Sequence, residues 1–266
     1  MSKQQWTQEK INQYIREGRG QGIGSNYQPW TKTNEFSSIG RVSRVFGIKT
    51  QRIHHLQSDN QFRAFLIFEW CDKVIDIRES FPLVDFKKTV DDVDDLRFDK
   101  FTDKTSGVEM VLTTNFVLTV KNEMGNEVLY ARSIKNQSEL SRSHTIERLE
   151  MERRYWNAKG IDWKIITNHQ IPKQFAKNLE WVRETLLDSA HLDNEKYDLP
   201  LKLESDLLQY KHLKLRDVLS SFDRHEGIER GTGLYLFRYL IAKKRIRLNL
   251  NEVISTTREI KDLIQW

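Results

Sequence analysis

Two neighbouring apolar runs, each carrying polar groups on one side, most constrain the fold of this chain. In Val111–Val120, Leu112, Phe116, Leu118 and Val120 fall on one side of an extended chain, and Thr113, Asn115, Val117 and Thr119 on the other. In Val128–Lys135, Leu129, Ala131, Ser133 and Lys135 share a face opposite Val128, Tyr130 and Ile134. A period of two over this length predicts β-strands. Ser58–Trp70 upstream and Ser143–Lys159 downstream have helical spacing, and Ile161–Thr167 reads as a core strand. The order helix–strand–strand–helix–strand predicts an α/β core. Val74–Phe81 alternates like a further strand, which Pro82 ends.

At 266 residues the chain has room for one large domain or two ordinary ones. Ile171-Pro172 is the expected boundary, giving domains 1–170 and 171–266. Beyond it Lys173–Asp188, Leu203–Tyr210, Leu213–Phe222 and Leu234–Lys244 read as helices, and Arg245–Leu250 as a short strand. Helices followed by a short strand predict a mostly helical, winged-helix-like domain. The formal charge of +5 is a weak pointer to an anionic partner. The single Cys71 excludes an internal disulfide framework and a Cys-rich zinc site. A polar start and the lack of a long apolar stretch predict no signal peptide and no membrane span. Together these place the chain in a reducing cytoplasm.

Several positions carry two readings. Gly18-Arg19-Gly20-Gln21-Gly22-Ile23-Gly24 follows a polar helix, Gln8–Glu17, and reads as a flexible turn in which Arg19 could meet a DNA phosphate. Arg41–Ile53 reads as β structure with Arg41, Arg44, Lys49 and Arg52 outward, followed by His54-His55 as structural groups or phosphate contacts. Ser58 is a good N-cap, and Gln61 stands where a capping box wants Glu or Gln. Gln61 also shares a helix face with Phe65 and Phe68, so it points toward the core. Glu152 lies between Leu149 and Trp156 on one stripe, either as a snorkelling surface group or as a carboxylate aimed at a metal. Lys135 is an edge charge or a catalytic amine. Lys243, Lys244, Arg245 and Arg247 are a solvated helix end or a DNA contact. The acidic stretch Asp91–Asp103 lacks calcium-loop spacing and reads as a solvated excursion.

A polar group on a helix, another on a strand, and a lysine two residues past a polar strand position form the skeleton of a metal-dependent DNA cleavage site. Four stretches carry a resemblance to a known family: His54-His55-Leu56-Gln57-Ser58-Asp59, Asp76-Ile77-Arg78-Glu79-Ser80-Phe81-Pro82-Leu83, Thr113-Thr114-Asn115-Phe116 and Glu150-Met151-Glu152-Arg153-Arg154-Tyr155-Trp156. With Gly18-Arg19-Gly20-Gln21-Gly22 and Tyr27-Gln28-Pro29-Trp30, they resemble TnsA, the endonuclease subunit of heteromeric cut-and-paste transposases. The likeness covers roughly the first two thirds of the chain in order.

The resemblance implies a restriction-endonuclease-like N-terminal domain, a helical C-terminal domain and Mg²⁺-dependent cutting at transposon 5′ ends. It implies transposon-end DNA, a TnsB-like recombinase and a TnsC-like ATPase regulator as partners. By position, the helix carboxylate falls at Gln61, the strand carboxylate at Asn115, the polar ligand at Ser133, and a backbone carbonyl ligand at Ile134. The catalytic lysine falls at Lys135 and a further metal-site carboxylate at Glu152. Two acids of the family are therefore amides, which are weak ligands for a hard dication. The chain as written is expected to bind Mg²⁺ weakly and not to cut. The changes are near-isosteric, which reads as engineered disabling ahead of natural loss. The alternatives are a natural non-cutting scaffold subunit and a free-standing winged-helix DNA binder.

Overall fold

The computed structural model describes residues 5–35, 41–187 and 198–265. The chain divides into two compact units, Met1–Ile171 and Pro172–Trp266.

The first unit is built on a four-stranded mixed sheet. Its strands are β3 (Val74–Pro82), β4 (Thr113–Lys121), β5 (Glu127–Lys135) and β6 (Asp162–Thr167), adjacent in that order. The β3/β4 and β4/β5 pairs are antiparallel, and β5/β6 is parallel. A parallel neighbour needs a long crossover, here α4 (Ser143–Ala158), which Gly160 ends at φ +65°. Met151, Tyr155 and Trp156 of α4 pack on Val117 and Ala131 to form the main core. On the other face α2 (Asp59–Trp70) sets Phe68 edge-on to Phe116, with ring centroids 5.4 Å apart. Ser58 Oγ caps α2 by accepting from the Gln61 amide at 3.2 Å.

Three shorter elements complete this unit. They are α1 (Gln8–Arg16), the antiparallel hairpin of β1 (Ser43–Gly47) with β2 (Arg52–Leu56), and one turn of helix, α3 (Phe86–Thr89). Arg41 and Arg44 of the hairpin region are exposed as expected, but Arg52 turns inward.

The second unit is helical: α5 (Lys173–Leu187), α6 (Asp198–Gln209), α7 (Leu215–His225) and α8 (Thr232–Ala242). Helix α8 buries Leu236, Phe237, Leu240 and Ile241, and α5, α6 and α7 all pack on it. Asp223 of α7 caps α8, accepting from Gly231 N at 2.7 Å and Gly233 N at 2.6 Å. The expected strand at Arg245–Leu250 shrinks to β7 (Arg247–Leu248), paired with β8 (Ile264–Gln265). The expected end of α5 at Asp188 lies outside the described residues. Among the described residues no helix is long and apolar enough to cross a membrane.

Candidate active site

The site grows from an irregularity shared by β3 and β4. Val117 packs on α4, and so does Thr114, whose hydroxyl bonds to Glu152. Three residues apart cannot share a face of a regular strand. The break falls at Asn115 and at Ser80, which the β3/β4 register places opposite it and which adopts φ +50°. Alternation along β4 therefore holds from Phe116 to Thr119 and fails N-terminal to that. The β4/β5 ladder stops at Phe116 and Arg132. Beyond it the Asn115 side chain takes over, its Oδ1 accepting from Ile134 N at 2.7 Å.

Glu152 is buried beneath this splayed end, only 1% exposed. Its Oε2 accepts from Ser133 Oγ at 2.5 Å and from Thr114 Oγ1 at 2.9 Å. Indole N–H groups only donate, so Trp163 Nε1 on Ser133 Oγ (3.0 Å) and Trp156 Nε1 on Thr114 Oγ1 (2.8 Å) orient both hydroxyl protons toward the carboxylate. Glu152 Oε1 faces Arg148 Nε at 3.5 Å. Glu152 is thus neither a snorkelling surface group nor a free ligand; it anchors a buried polar network.

Lys135 ends β5 half-buried beside this network. Burial is the main cause that lowers its pKa from the ordinary lysine value; Arg148 adds to the effect, and Glu152 and Glu139 oppose it. Gln61 is buried, and its Oε1 accepts from Gln57 N at 2.9 Å, one residue short of the capping-box partner. Its helix is tied to the end of β5 by Asn60 Nδ2 and Asn136 Oδ1 at 2.8 Å. The structure therefore links Ser133 and Glu152 directly, Asn115 to Ile134, and Lys135 electrostatically to Glu152. Gln61 bonds within its own capping turn.

The basic residues expected to meet DNA in this unit are placed differently. Arg19 is buried, lies 3.5 Å over the Tyr14 ring and pairs with Glu17 and Glu35. Arg52 grips Glu79 through two bonds of 2.9 and 2.6 Å and also bonds Ile77 O. His54, 0% exposed, joins the same carboxylate at 2.8 Å. His55 is half-buried, with Thr33 on its Nδ1. Arg52 and His54 turn inward because Glu79 is buried in β3 and needs cations and donors around it. In the second unit Lys243, Arg245 and Arg247 are exposed, with Arg245 paired to Glu204 at 2.6 Å, and Lys244 is half-buried.

Comparison with known proteins settles the kinship. Residues 71–168 match the model of the TnsA-like endonuclease N terminus, and residues 170–250 match that of the TnsA endonuclease C terminus. The Escherichia coli protein described as transposon Tn7 transposition protein TnsA is 34% identical over 244 residues, covering 91% of this chain and 86% of the relative. The chain belongs to the TnsA family. It is by descent an endonuclease subunit of transposition.

A TnsA-type nuclease implies a divalent metal, but the donors present do not fit one. Among the described residues no three His, Cys, Asp or Glu side chains cluster to hold an ion. Glu152 spends one oxygen on two hydroxyls and turns the other to Arg148. Asn115 and Gln61 each spend the amide oxygen on a backbone N–H. Two carboxylates, Glu152 and Glu139, stand against two cations, Lys135 and Arg148, so the local sum is −2 + 2 = 0, with no net negative charge to draw in a dication.

Sequence reasoning missed four members of the site: Thr114, Arg148, Trp156 as a donor, and Trp163. Arg148 is four residues before Glu152 on α4, a spacing that signals an ion pair.

Proposed function

We propose that this chain is the transposon-end endonuclease subunit of a transposase, folded around a restriction-endonuclease-like site that does not cut as it stands. Gln61, Asn115, Ser133, Ile134 and Glu152 occupy the family's metal-ligand positions, and Lys135 that of its catalytic lysine. The observation that carries this reading is that the amide oxygens of Gln61 and Asn115 are taken by backbone N–H groups and the Glu152 carboxylate by two hydroxyls and Arg148. A site that must concentrate Mg²⁺ beside a phosphate needs net negative charge and free oxygens. Replacing both amides by acids adds two negative charges without changing shape.

The kinship with a transposition protein supports a role beside a TnsB-like recombinase and a TnsC-like ATPase on transposon-end DNA. The order α6, α7, α8, β7, with Lys214 bridged to Glu259, supports a winged-helix-like second unit. Its α8 differs from an open recognition helix, because Arg238 bonds back to Glu184 of α5 at 2.6 Å. Lys243, Lys244, Arg245 and Arg247 at the end of α8 are the remaining candidates for contact with the DNA backbone.

The test is strand-resolved cleavage of a transposon-end duplex by the full chain and its partners in Mg²⁺. The unaltered chain leaves the 5′ ends intact, and Gln61→Glu with Asn115→Asp cuts them. Cutting by the unaltered chain at the rate of the double variant overturns the proposal. Assembly without cutting by the double variant favours a non-cutting scaffold.

A further inference from the structure

The four-stranded sheet closes one of its edges and leaves the other open. On the outer side of β3, Ile77 O accepts from Arg52 Nη2 at 2.8 Å, Glu79 O from Tyr27 Oη at 3.0 Å and Ser80 O from Trp30 N at 3.2 Å. Asp76 Oδ1 accepts from Ile77 N at 2.9 Å. The outer side of β6 is different. Along a parallel strand, residues whose N–H and C=O face the neighbour alternate with residues whose groups face away. Asn168 N donates to Lys135 O of β5 at 3.1 Å, so the even-numbered main-chain groups at β6 face inward. Thr167 N has the opposite parity, faces away and donates to Gln170 Oε1 at 2.8 Å, which fixes where the open stretch ends. Trp163 and Ile165 therefore turn N–H and C=O outward, and no other group among the described residues bonds to them there. An unpaired strand edge of this kind is a template for another extended chain.

The side chains choose among occupants. Trp163 packs against the main core, and Ile165 shares its side of the strand by alternation. Lys164 stands between them on the opposite side, its side chain 67% exposed. A second copy would pair antiparallel, Trp163 against Ile165 in both directions, and would set Lys164 directly opposite Lys164. Like charges so placed repel, and an edge lysine guards a strand against its own copy. Arg132 adds a second cation and holds Asp162 at 2.7 Å, so the edge carries two cations against one carboxylate. We propose that the free edge of β6 is a docking strand for a partner protein, which adds an extended segment antiparallel to it, with an acidic residue opposite Lys164 and an apolar residue on each side. Main-chain bonds to Trp163 and Ile165 supply the grip, and the acid sets the register. Neither a metal nor cleavage enters the inference.

The probe is the peptide acetyl-Ser-Thr-Val-Glu-Val-Thr-Ser-amide, titrated into the ¹⁵N-labelled full chain. Saturable shifts and slowed hydrogen exchange are expected at the main-chain amides of Trp163 and Ile165, with the Gly233 amide of the second unit unmoved. N-methylation of both valines, whose N–H groups would face the edge, abolishes the response. Replacing the peptide's Glu by Lys weakens binding about fivefold, and Lys164→Glu in the protein inverts that preference. Ile165→Pro removes one outward donor and no bond to β5, and an edge strand accepts proline there. It should weaken peptide binding by at least about fivefold at an unchanged thermal midpoint. If the proline lowers the midpoint, the methylated peptide on the unaltered chain decides alone. No saturable shift at Trp163 and Ile165, or equal binding of the methylated peptide, overturns the docking strand. A Glu-over-Lys preference that survives Lys164→Glu overturns the acidic register. Sedimentation of the unaltered chain tests the other occupant: a dimer that Ile165→Pro dissociates gives the edge to a second copy and overturns the choice of partner. Cleavage in either direction moves none of these readouts, so this proposal and the functional one fail separately.

Discussion

Glu152→Gln separates a carboxylate waiting for a metal from one that is already structural. The hydroxyls of Ser133 and Thr114 each have one proton, and Trp163 and Trp156 force both protons onto Glu152 Oε2. A glutamine must therefore put its carbonyl oxygen at that position and its NH₂ toward Arg148 Nε, which lies 3.5 Å from the oxygen it replaces. Two bonds to a charged acceptor become bonds to a neutral one, a difference of about 0.5–2 kcal/mol each. The guanidinium edge also loses its counter-charge. Breaking a fully buried pair costs about 3–5 kcal/mol; Arg148 is 30% exposed and 3.5 Å from the carboxylate, so solvent screening leaves about 1 kcal/mol here. The sum is about 3 kcal/mol of lost stability. In urea, with a slope of about 2 kcal/mol/M, the midpoint should fall by about 1.5 M at unchanged slope. Glu150→Gln, on the outer side of the same helix and paired with Arg153 and Arg154, is the control and should cost under about 1 kcal/mol. The measurement is made in EDTA. A Glu152→Gln protein as stable as the parent, or more so, would show a carboxylate strained by its surroundings and refute the network argument.

Two further expectations concern the groups that turned inward. Burial pushes the Glu79 carboxyl up, but His54 and Arg52 outweigh it and hold the group far below its ordinary value of 4.5. A depressed carboxyl contributes stability that is present above that ordinary value and is lost as the pH falls toward the folded one. Urea midpoints should therefore drop progressively below about pH 4.5, and Glu79→Gln should lower the neutral-pH midpoint while flattening that acid limb; an unchanged acid slope would count against it. Arg19→Ala removes a guanidinium stacked on Tyr14 and paired with Glu17 and Glu35, so it should lower the melting temperature and leave duplex affinity within about twofold. A selective loss of DNA binding at unchanged stability would restore Arg19 as a phosphate contact.

Much of the sheet and its covering helices was legible because burial imposes a period on the sequence. The β4 and β5 runs, the cap at Ser58, and the stop at Gly160 stand within a few residues of their expected places. What the period could not show is where it breaks. A serine at φ +50° gives no warning in sequence, yet Ser80 and its neighbour Asn115 decide which side of β4 meets α4. The inward turn of Arg52 and His54 had a readable signal. Glu79 shares a strand face with Ile77, which is fully buried, so its carboxylate demanded buried donors. Arg52 and His54, on the preceding hairpin, were the nearest candidates. Basic residues looked like DNA contacts because the missing fact was not their charge but the place of their counter-charge.

The candidate site shows the limit of shape as a guide to chemistry. Kinship over 91% of the chain establishes the scaffold, and an amide for an acid leaves that scaffold intact. Each amide satisfies a backbone N–H, at Ile134 and at Gln57, through an oxygen that an acid of the same shape would also offer. Folding therefore exerts little pressure against the exchange, and the structural role of both positions survives it. What changes is the atom left over. An acid presents a second oxygen to the solvent side and recruits a cation; an amide presents two protons and recruits an anion. The two substitutions should consequently act together on ligand choice and almost independently of stability, because the bonds that hold the fold use the oxygen that both forms share.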